Sequence, residues 1–297
     1  MNIPHKTHEI HNHHIDSTIW NDFSFRDDDI VIASYAKSGT TWLQQIIAQL
    51  LFNGEENLEV AEMSPWMDLR IPPKEIKLLM VEKQTHRRFV KTHLPTDALV
   101  FSDMAKYIYI GRDGRDILWS LYNHHSMANE TWYAGLNKSP GRVGPPIEKP
   151  PASIKQYYHE WLDRDGHPLW PYWGNVRSWW AIRNLSNVLI IHFANLKHDM
   201  SGQISKIAEF LDISIDEDKW KSILLHCSFD YMKVHAPKTV PFDGALWEGG
   251  IQTFIYKGTN GRWSEVLDSD EIIKYENRAN VELGDECAHW LATGNLT

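Results

Sequence analysis

Cysteine is nearly missing from this chain: Cys227 and Cys287 are the only two in 297 residues. A pair so far apart frames neither a disulfide-stapled domain nor a cysteine-based zinc site, and such usage points to a reducing, cytoplasmic setting. Long apolar runs are missing as well. No window approaches the roughly 18 uninterrupted apolar residues that a membrane span requires, and the opening MNIPHKTHEIHNHH lacks the apolar stretch of a secretory leader. Nor is positive charge in excess, with 30 Lys plus Arg against 39 Asp plus Glu and a formal charge of −9. That balance argues against a nonspecific partner of nucleic acid or anionic membrane, so any bound anion must be held by a local cluster.

Aromatic residues, by contrast, are plentiful: 14 Trp, 11 Tyr and 10 Phe within a 42% hydrophobic composition. At this length about three quarters of the unfolded chain's surface can be buried, which excludes intrinsic disorder and suits a single large α/β domain. His5, His8, His11, His13 and His14 crowd the N-terminus. Their irregular spacing on a polar segment fits a mobile tail over residues 1–17 better than a metal site, and no metal is expected. The domain proper is expected to span 18–297.

Strand-like and helix-like segments alternate along it. DIVIASY (29–35) reads as a β-branched strand, AKSG as a turn, and TWLQQIIAQLLFNG as a helix with Leu43, Ile46, Ile47, Leu50 and Leu51 on one face. PKEIKLLMVEK reads as a helix, RRFVKTH (87–93) and KYIYIGR (106–112) as strands, and DGRDILWSLYNHH as an amphipathic helix. NVLIIHF (187–193) reads as a buried strand before the helical NLKHDMSGQISKIAEFL. This alternation predicts a central parallel β-sheet flanked by helices. Two stretches break the rhythm. Residues 129–152 hold five prolines and three glycines, and 236–261 is equally irregular before an acidic helix at about 270–291. Loops that long on an α/β scaffold are expected to roof the active site.

The unit strand–KSGTT–helix carries the chemistry. Gly39 permits a tight turn, and the amides of Gly39, Thr40 and Thr41 fall at a helix N-terminus, where free donors and the helix dipole favour an anion. Lys37 adds a cation, while Ser38 and the two threonines add hydroxyls, making a nest for a phosphate or sulfate. It is not a Walker A loop, because the lysine precedes the glycine and no upstream glycine exists.

SYAKSGTTWLQQI resembles the 5′-phosphosulfate loop of the cytosolic-type sulfotransferases, including bacterial-like members acting on aryl and other small molecules, which use 3′-phosphoadenosine 5′-phosphosulfate (PAPS). Three further segments match in order. KTHLP (91–95) resembles the segment bearing the catalytic histidine. GRDGRDILWS resembles the 3′-phosphate motif, with Arg112 and Ser120 eight residues apart. YKGTNGRW (256–263) is similar to the C-terminal cofactor loop. The resemblance spans about 28–265. It implies a P-loop-like phosphosulfate-binding fold and sulfuryl transfer from PAPS to a hydroxyl or amine, leaving adenosine 3′,5′-bisphosphate (PAP). His93 is then the general base, with Lys37 and Lys91 beside the sulfuryl group. Arg112 and Ser120 take the 3′-phosphate, Trp42 and Phe229 stack on adenine, and Tyr256, Lys257 and Gly258 close over the nucleotide. Arg115 is expected either as a second phosphate ligand or as a solvated charge paired with Asp116.

The chain departs from the family pattern at several positions. Phe193 stands where relatives have a tyrosine, Ala36 where they have proline, and Tyr256 where many have arginine. The dimerisation signature matches only at Thr239-Val240, which leaves a homodimer by that route in doubt. Trp66, Trp132, Tyr133 and Trp247, in aperiodic segments, are expected to line a small-molecule pocket for an aromatic acceptor, or for a cationic one such as a guanidinium alkaloid. Two other classes fit the same loop. An ATP-dependent small-molecule kinase would use Asp113 and Asp116 for Mg²⁺, and a non-catalytic nucleotide-binding protein would not need His93.

Overall fold

The structure, a computed structural model, describes residues 3–238 and 240–296. Four strands, β1 (Ile30–Ser34), β2 (Phe89–Thr92), β3 (Lys106–Gly111) and β4 (Val188–His192), form one parallel sheet in the order β2-β1-β3-β4. All five β1 residues are buried, as expected of a parallel strand covered on both faces. Side-chain alternation divides the core. Ile30, Ile32, Ile108, Ile110 and Ile191 face one layer, which includes Leu43, Ile46 and Ile47 of the Thr40–Leu51 helix. Val31, Ala33, Tyr107, Tyr109 and Ile190 face the other, built on Trp161, Trp173 and Trp179.

Those tryptophans belong to two helices, Ile154–Asp163 and Tyr172–Ala181, that sequence periodicity did not single out. The irregular stretches are also more structured than expected. Residues 129–152 contain a helix at Glu130–Lys138, capped by the Asn129 side chain on the Trp132 amide, and 236–261 contain short helical turns. The acidic C-terminal segment is two helices, Ser269–Leu283 and Asp285–Thr293, parted at Gly284 with φ 76°.

The N-terminal segment corrects the expectation of a mobile tail. From Thr7 onward it is tied to the body: the Thr7 amide donates to the Asp97 carbonyl (2.7 Å), that of Asp16 to Asp68 (2.9 Å), and that of Arg70 to His14 (2.6 Å). Ile15 and Ser17 are fully buried and His13 and His14 nearly so. Ile15 sits in the apolar core and Ile10 packs against it, and these two anchors with the paired backbone donors dock a mainly polar run. Thr239 lies outside the described residues; Val240 is buried. Among the described residues no helix is long and apolar enough to cross a membrane, and no group of three or more His, Cys, Asp or Glu could hold a metal ion.

Candidate active site

Parallel strands end on one edge of a sheet, where ligands bind in open α/β folds. Each strand here delivers a candidate residue to that edge: β1 runs into Lys37, β2 into His93, β3 into Arg112 and β4 into Phe193. All four line a single cavity of about 670 Å³.

The turn after β1 is tightly specified. Gly39 has φ 110°, and a Cβ there would come within 2.7 Å of the Phe193 ring, so only glycine fits. Lys37 itself has φ 71°, an uncommon conformation for a residue bearing a side chain and a mark of functional loops. Its Nζ lies 3.3 Å from His124 Nδ1 and 4.7 Å from the Phe254 ring centroid. Burial, with Arg112 and Lys91 nearby, pushes the Lys37 ammonium down to about 7. The Ser34 and Thr40 hydroxyls pair at 2.7 Å, fixing the helix start. Gly39, Thr40, Thr41 and Trp42 face the cavity, whereas Ser38 stands behind its wall, with a buried hydroxyl that has no hydrogen-bond partner.

His93 is fixed from several sides. Its Nδ1 lies 2.8 Å from the Ser34 carbonyl oxygen. A carbonyl only accepts, so Nδ1 carries the proton and Nε2 keeps its lone pair. The His93 amide donates to Asp68 Oδ2 (3.1 Å), which also accepts from Trp66 Nε1 (2.7 Å), and Asn175 donates to the His93 carbonyl (3.0 Å). Trp170 stacks on the ring at 5.9 Å and Trp66 meets it edge-on at 4.7 Å. Burial first, then Lys91, lowers the imidazole to about 3, so it is neutral. Lys91, two residues back on β2, has its Nζ 3.5 Å from Gln44 Oε1 and is lowered by burial to about 8.

Arg112 is a buried clamp. Its guanidinium donates to the Lys37 carbonyl (3.1 Å), the Thr259 carbonyl (3.2 Å) and Asn260 Oδ1 (2.9 Å), and lies 4.2 Å from the Phe193 ring centroid. One cation thus ties the first loop to the last. Ser120, on the Gly114–Met127 helix, lines the cavity with it. Trp42, its Nε1 donating to the Cys227 carbonyl (2.7 Å), and half-exposed Phe229 form aromatic walls. Tyr256, Lys257 and Gly258 border the same space, and a Cβ on Gly258 (φ 59°) would meet Phe229 at 2.7 Å. Arg262 also lines it, with a buried Nε lacking a hydrogen-bond partner.

The lining also holds three of the four expected aromatics, Trp66, Trp132 and Trp247, together with Trp170, Phe254, His14, His124 and His125. Tyr133 does not line the cavity. It follows Trp132 on a helix, so it points elsewhere, and its hydroxyl donates to the His125 carbonyl (2.7 Å). Arg115 is not a cavity residue either. It holds Asp113 through a fork (2.7 Å from Nη2 to Oδ2) and Glu276 (3.1 Å), sandwiched by Trp263 and Tyr275. Sequence reasoning missed His124, although Ser120 and His124 are four apart on one helix and must share a face. His14 and Trp170 carried no such signal.

Among the described residues the cavity lining has six cationic side chains, Lys37, Lys91, Arg112, Lys197, Lys257 and Arg262, and no Asp or Glu. In a chain of net charge −9 this is a strong local reversal of sign, suited to a polyanion. Asp113 and Asp116 stay outside it, engaged by Arg115 and by the Gly261 amide (2.7 Å) respectively.

A family described as the sulfotransferase domain matches residues 27–285. The chain is 28% identical over 303 residues to a glycolipid sulfotransferase of Mycobacterium bovis, covering 94% of this chain and 92% of that one. It is 31% identical over 272 residues to mouse sulfotransferase 1B1, covering 86% and 82%. Among solved structures it resembles a mouse sulfotransferase complexed with PAP, at a TM-score of 0.70, 21% identity and coverage of 93% and 92%. It also resembles retinol dehydratase in complex with androsterone and PAP, at a TM-score of 0.68, 22% identity and coverage of 90% and 84%.

Proposed function

Because the chain belongs to the sulfotransferase domain family, and so is a PAPS-dependent sulfotransferase, we propose that this cavity divides the reaction in two. The cationic outer half holds the nucleotide, and the indole-lined inner half holds a small neutral aromatic acceptor that presents a hydroxyl or amine to His93.

The observation that carries this reading is the charge of the lining, six cations with no carboxylate among the described residues. The side chains present fit PAPS. Gly39 and Gly258 keep two stretches of wall free of Cβ atoms, and the unpartnered Arg262 Nε is a spare donor in the lining. Arg112 and Ser120 suit the 3′-phosphate, with Arg262 and Lys257 standing in for the arginine replaced by Tyr256. Trp42 and Phe229 suit the adenine faces. The amides of Gly39, Thr40 and Thr41 suit the 5′ end.

PAPS supplies a sulfuryl group already joined to a good leaving phosphate. Everything else falls to the protein. His93 Nε2 takes the proton from the acceptor as the acceptor oxygen or nitrogen attacks sulfur in line. The Ser34 carbonyl keeps Nδ1–H in place, so the imidazolium that forms is hydrogen-bonded on that side. Burial and Lys91 hold His93 near 3 in the free protein. An anionic donor offsets the fields of Lys91 and Lys37 and moves the imidazole toward a useful basicity. Lys37, stabilised as a cation by the same anion, neutralises charge growing on the oxygen that leaves sulfur, and Lys91 contacts the sulfuryl oxygens.

A kinase reading is not favoured, since neither Asp113 nor Asp116 reaches the cavity. A cationic acceptor would find no carboxylate in the described lining, which supports the neutral class. The glycolipid and androsterone in the names of relatives belong to those proteins. The test is titration calorimetry of PAP against 5′-AMP in EDTA. PAP is expected to bind, and Arg112→Met to weaken it by about 2 kcal/mol while leaving 5′-AMP almost unchanged. Equal affinity of the intact protein for PAP and 5′-AMP overturns the assignment.

A further inference from the structure

The hydrogen bonds of the N-terminal segment fix a chain of tautomers that ends in the inner half of the cavity. His13 Nε2 lies 2.9 Å from the Pro168 carbonyl oxygen, which can only accept, so that nitrogen carries the proton of a neutral ring. His13 Nδ1 therefore has a lone pair, and it lies 2.5 Å from His14 Nδ1. His14 Nδ1 must donate, which leaves the lone pair of His14 on Nε2. Both rings are buried, a setting that disfavours the charged form and keeps them neutral. The backbone of His14 is equally fixed, its amide donating to Asn12 Oδ1 (2.8 Å) and its carbonyl accepting from Arg70 (2.6 Å). Among the described residues no hydrogen-bond partner meets His14 Nε2, and His14 lines the cavity.

His14 and His93 share walls. The His14 ring lies 6.2 Å from Trp66 and 6.1 Å from Trp170, and His93 lies 4.7 Å and 5.9 Å from the same two indoles. Two imidazoles, each left with an unprotonated Nε2 by the hydrogen bond at its Nδ1, thus line one cavity beside the same two indoles. Only one is needed to take the proton from the nucleophile. The other is an acceptor that a bound monophenol would cover and leave unpaired, which costs affinity.

We propose, building on the acceptor pocket assigned above, that His14 is a specificity residue whose Nε2 accepts a hydrogen bond from a second hydroxyl of the acceptor. The preferred acceptor is then a dihydroxylated aromatic, with one hydroxyl at His93 and the other at His14. His13 is a positioning residue that holds the His14 tautomer.

The test uses the full chain loaded with PAP and a set of dihydroxynaphthalenes of different hydroxyl spacing, each against its monomethyl ether. Binding is read by tryptophan fluorescence, and turnover with PAPS is measured in parallel. At least one diol should bind tenfold or more tighter than its ether, because a site built to pair a hydroxyl rejects the analogue lacking it. His14→Phe should collapse that ratio toward one through KM rather than kcat. His14→Gln, which retains an acceptor, should restore part of it, and His13→Phe should lower it without touching the pocket. Equal binding of every diol and its ether by the intact protein overturns the proposal, as does a ratio that survives His14→Phe. If His14→Phe does not fold, the comparison of diol and ether on the intact protein and on His14→Gln decides. A diol preference in binding without sulfuryl transfer to any phenol would sink the acceptor reading of the previous section while upholding His14 as the hydroxyl contact.

Discussion

Lys37 is the cation least suited to the free protein, and replacing it should make the chain more stable while disabling it. Its ammonium drops from an ordinary 10.5 to about 7, from burial first and then from Arg112 and Lys91. Fully converted, such a shift is worth about 4 kcal/mol at pH 7, at about 1.4 kcal/mol per unit. Lys37 borders an open cavity, so screening by solvent reduces this to about 2 kcal/mol. Lys37→Met keeps an unbranched apolar chain beside Phe254 and should raise the melting temperature of the ligand-free protein by roughly 5 °C at pH 7. The sign with pH follows from linkage. An unfolded lysine keeps its proton up to about 10.5, whereas the folded one releases it above about 7. Between those values the unfolded chain binds more protons, and wild-type stability rises with pH. The methionine variant lacks that slope, so its advantage is largest at pH 7 and below and narrows toward pH 9. Differential scanning calorimetry at pH 7 and pH 9 measures both. A methionine variant no more stable than wild type at pH 7, or a gap that does not narrow by pH 9, refutes the reasoning.

The same two lysines make nucleotide binding pH-dependent. PAP brings negative charge to Lys37 and Lys91, which sit at about 7 and about 8 in the free protein, and so raises both. Binding at pH 8 should take up roughly one proton, and affinity should fall as pH rises from 7 to 9. Calorimetry in buffers of different ionisation heat gives the number, and zero uptake contradicts the placement of the anion. Gly258→Ala places a Cβ in the space of the Phe229 ring at a backbone conformation with φ 59°. It should weaken PAP about tenfold, or about 1.4 kcal/mol. An unchanged PAP affinity in that variant would remove the Phe229–Gly258 wall from the nucleotide site.

Much of this architecture was legible because local signals and tertiary demands coincide. The β1–KSGTT–helix unit pairs a β-branched run with a glycine that the structure requires for φ 110° and for clearance from Phe193. His93 and Lys91 were legible because a two-residue period puts Lys91, on β2, and His93, just past its end, on one side. What sequence missed depends on partners far away along the chain. Arg115 looked like a phosphate ligand because it neighbours Arg112, yet Glu276 and the rings of Trp263 and Tyr275 take it up. Tyr133 looked like Trp132, but adjacent residues on a helix diverge by about 100°, and the helix itself was hidden by the proline-rich run after it. The helices at Ile154–Asp163 and Tyr172–Ala181 are so aromatic that intrinsic propensity is weak, and packing against the sheet stabilises them instead. The N-terminal segment reads as mainly polar, with isolated isoleucines and no periodicity. Its docking rests on Ile10, Ile15 and backbone donors whose partners lie far along the chain.

The account turns on His93 acting as the base between a nucleotide half and an acceptor half of one cavity. The most direct measurement is steady-state transfer from radiolabelled PAPS to a naphthol by wild type and His93→Ala, with PAP affinity measured on both. The account predicts sulfated naphthol and PAP in equal amounts from wild type. In the variant, kcat should fall by about 10²-fold to 10⁴-fold, with PAP binding within twofold. A His93→Ala enzyme that turns over at near wild-type kcat, or that loses PAP affinity in step with activity, would contradict it.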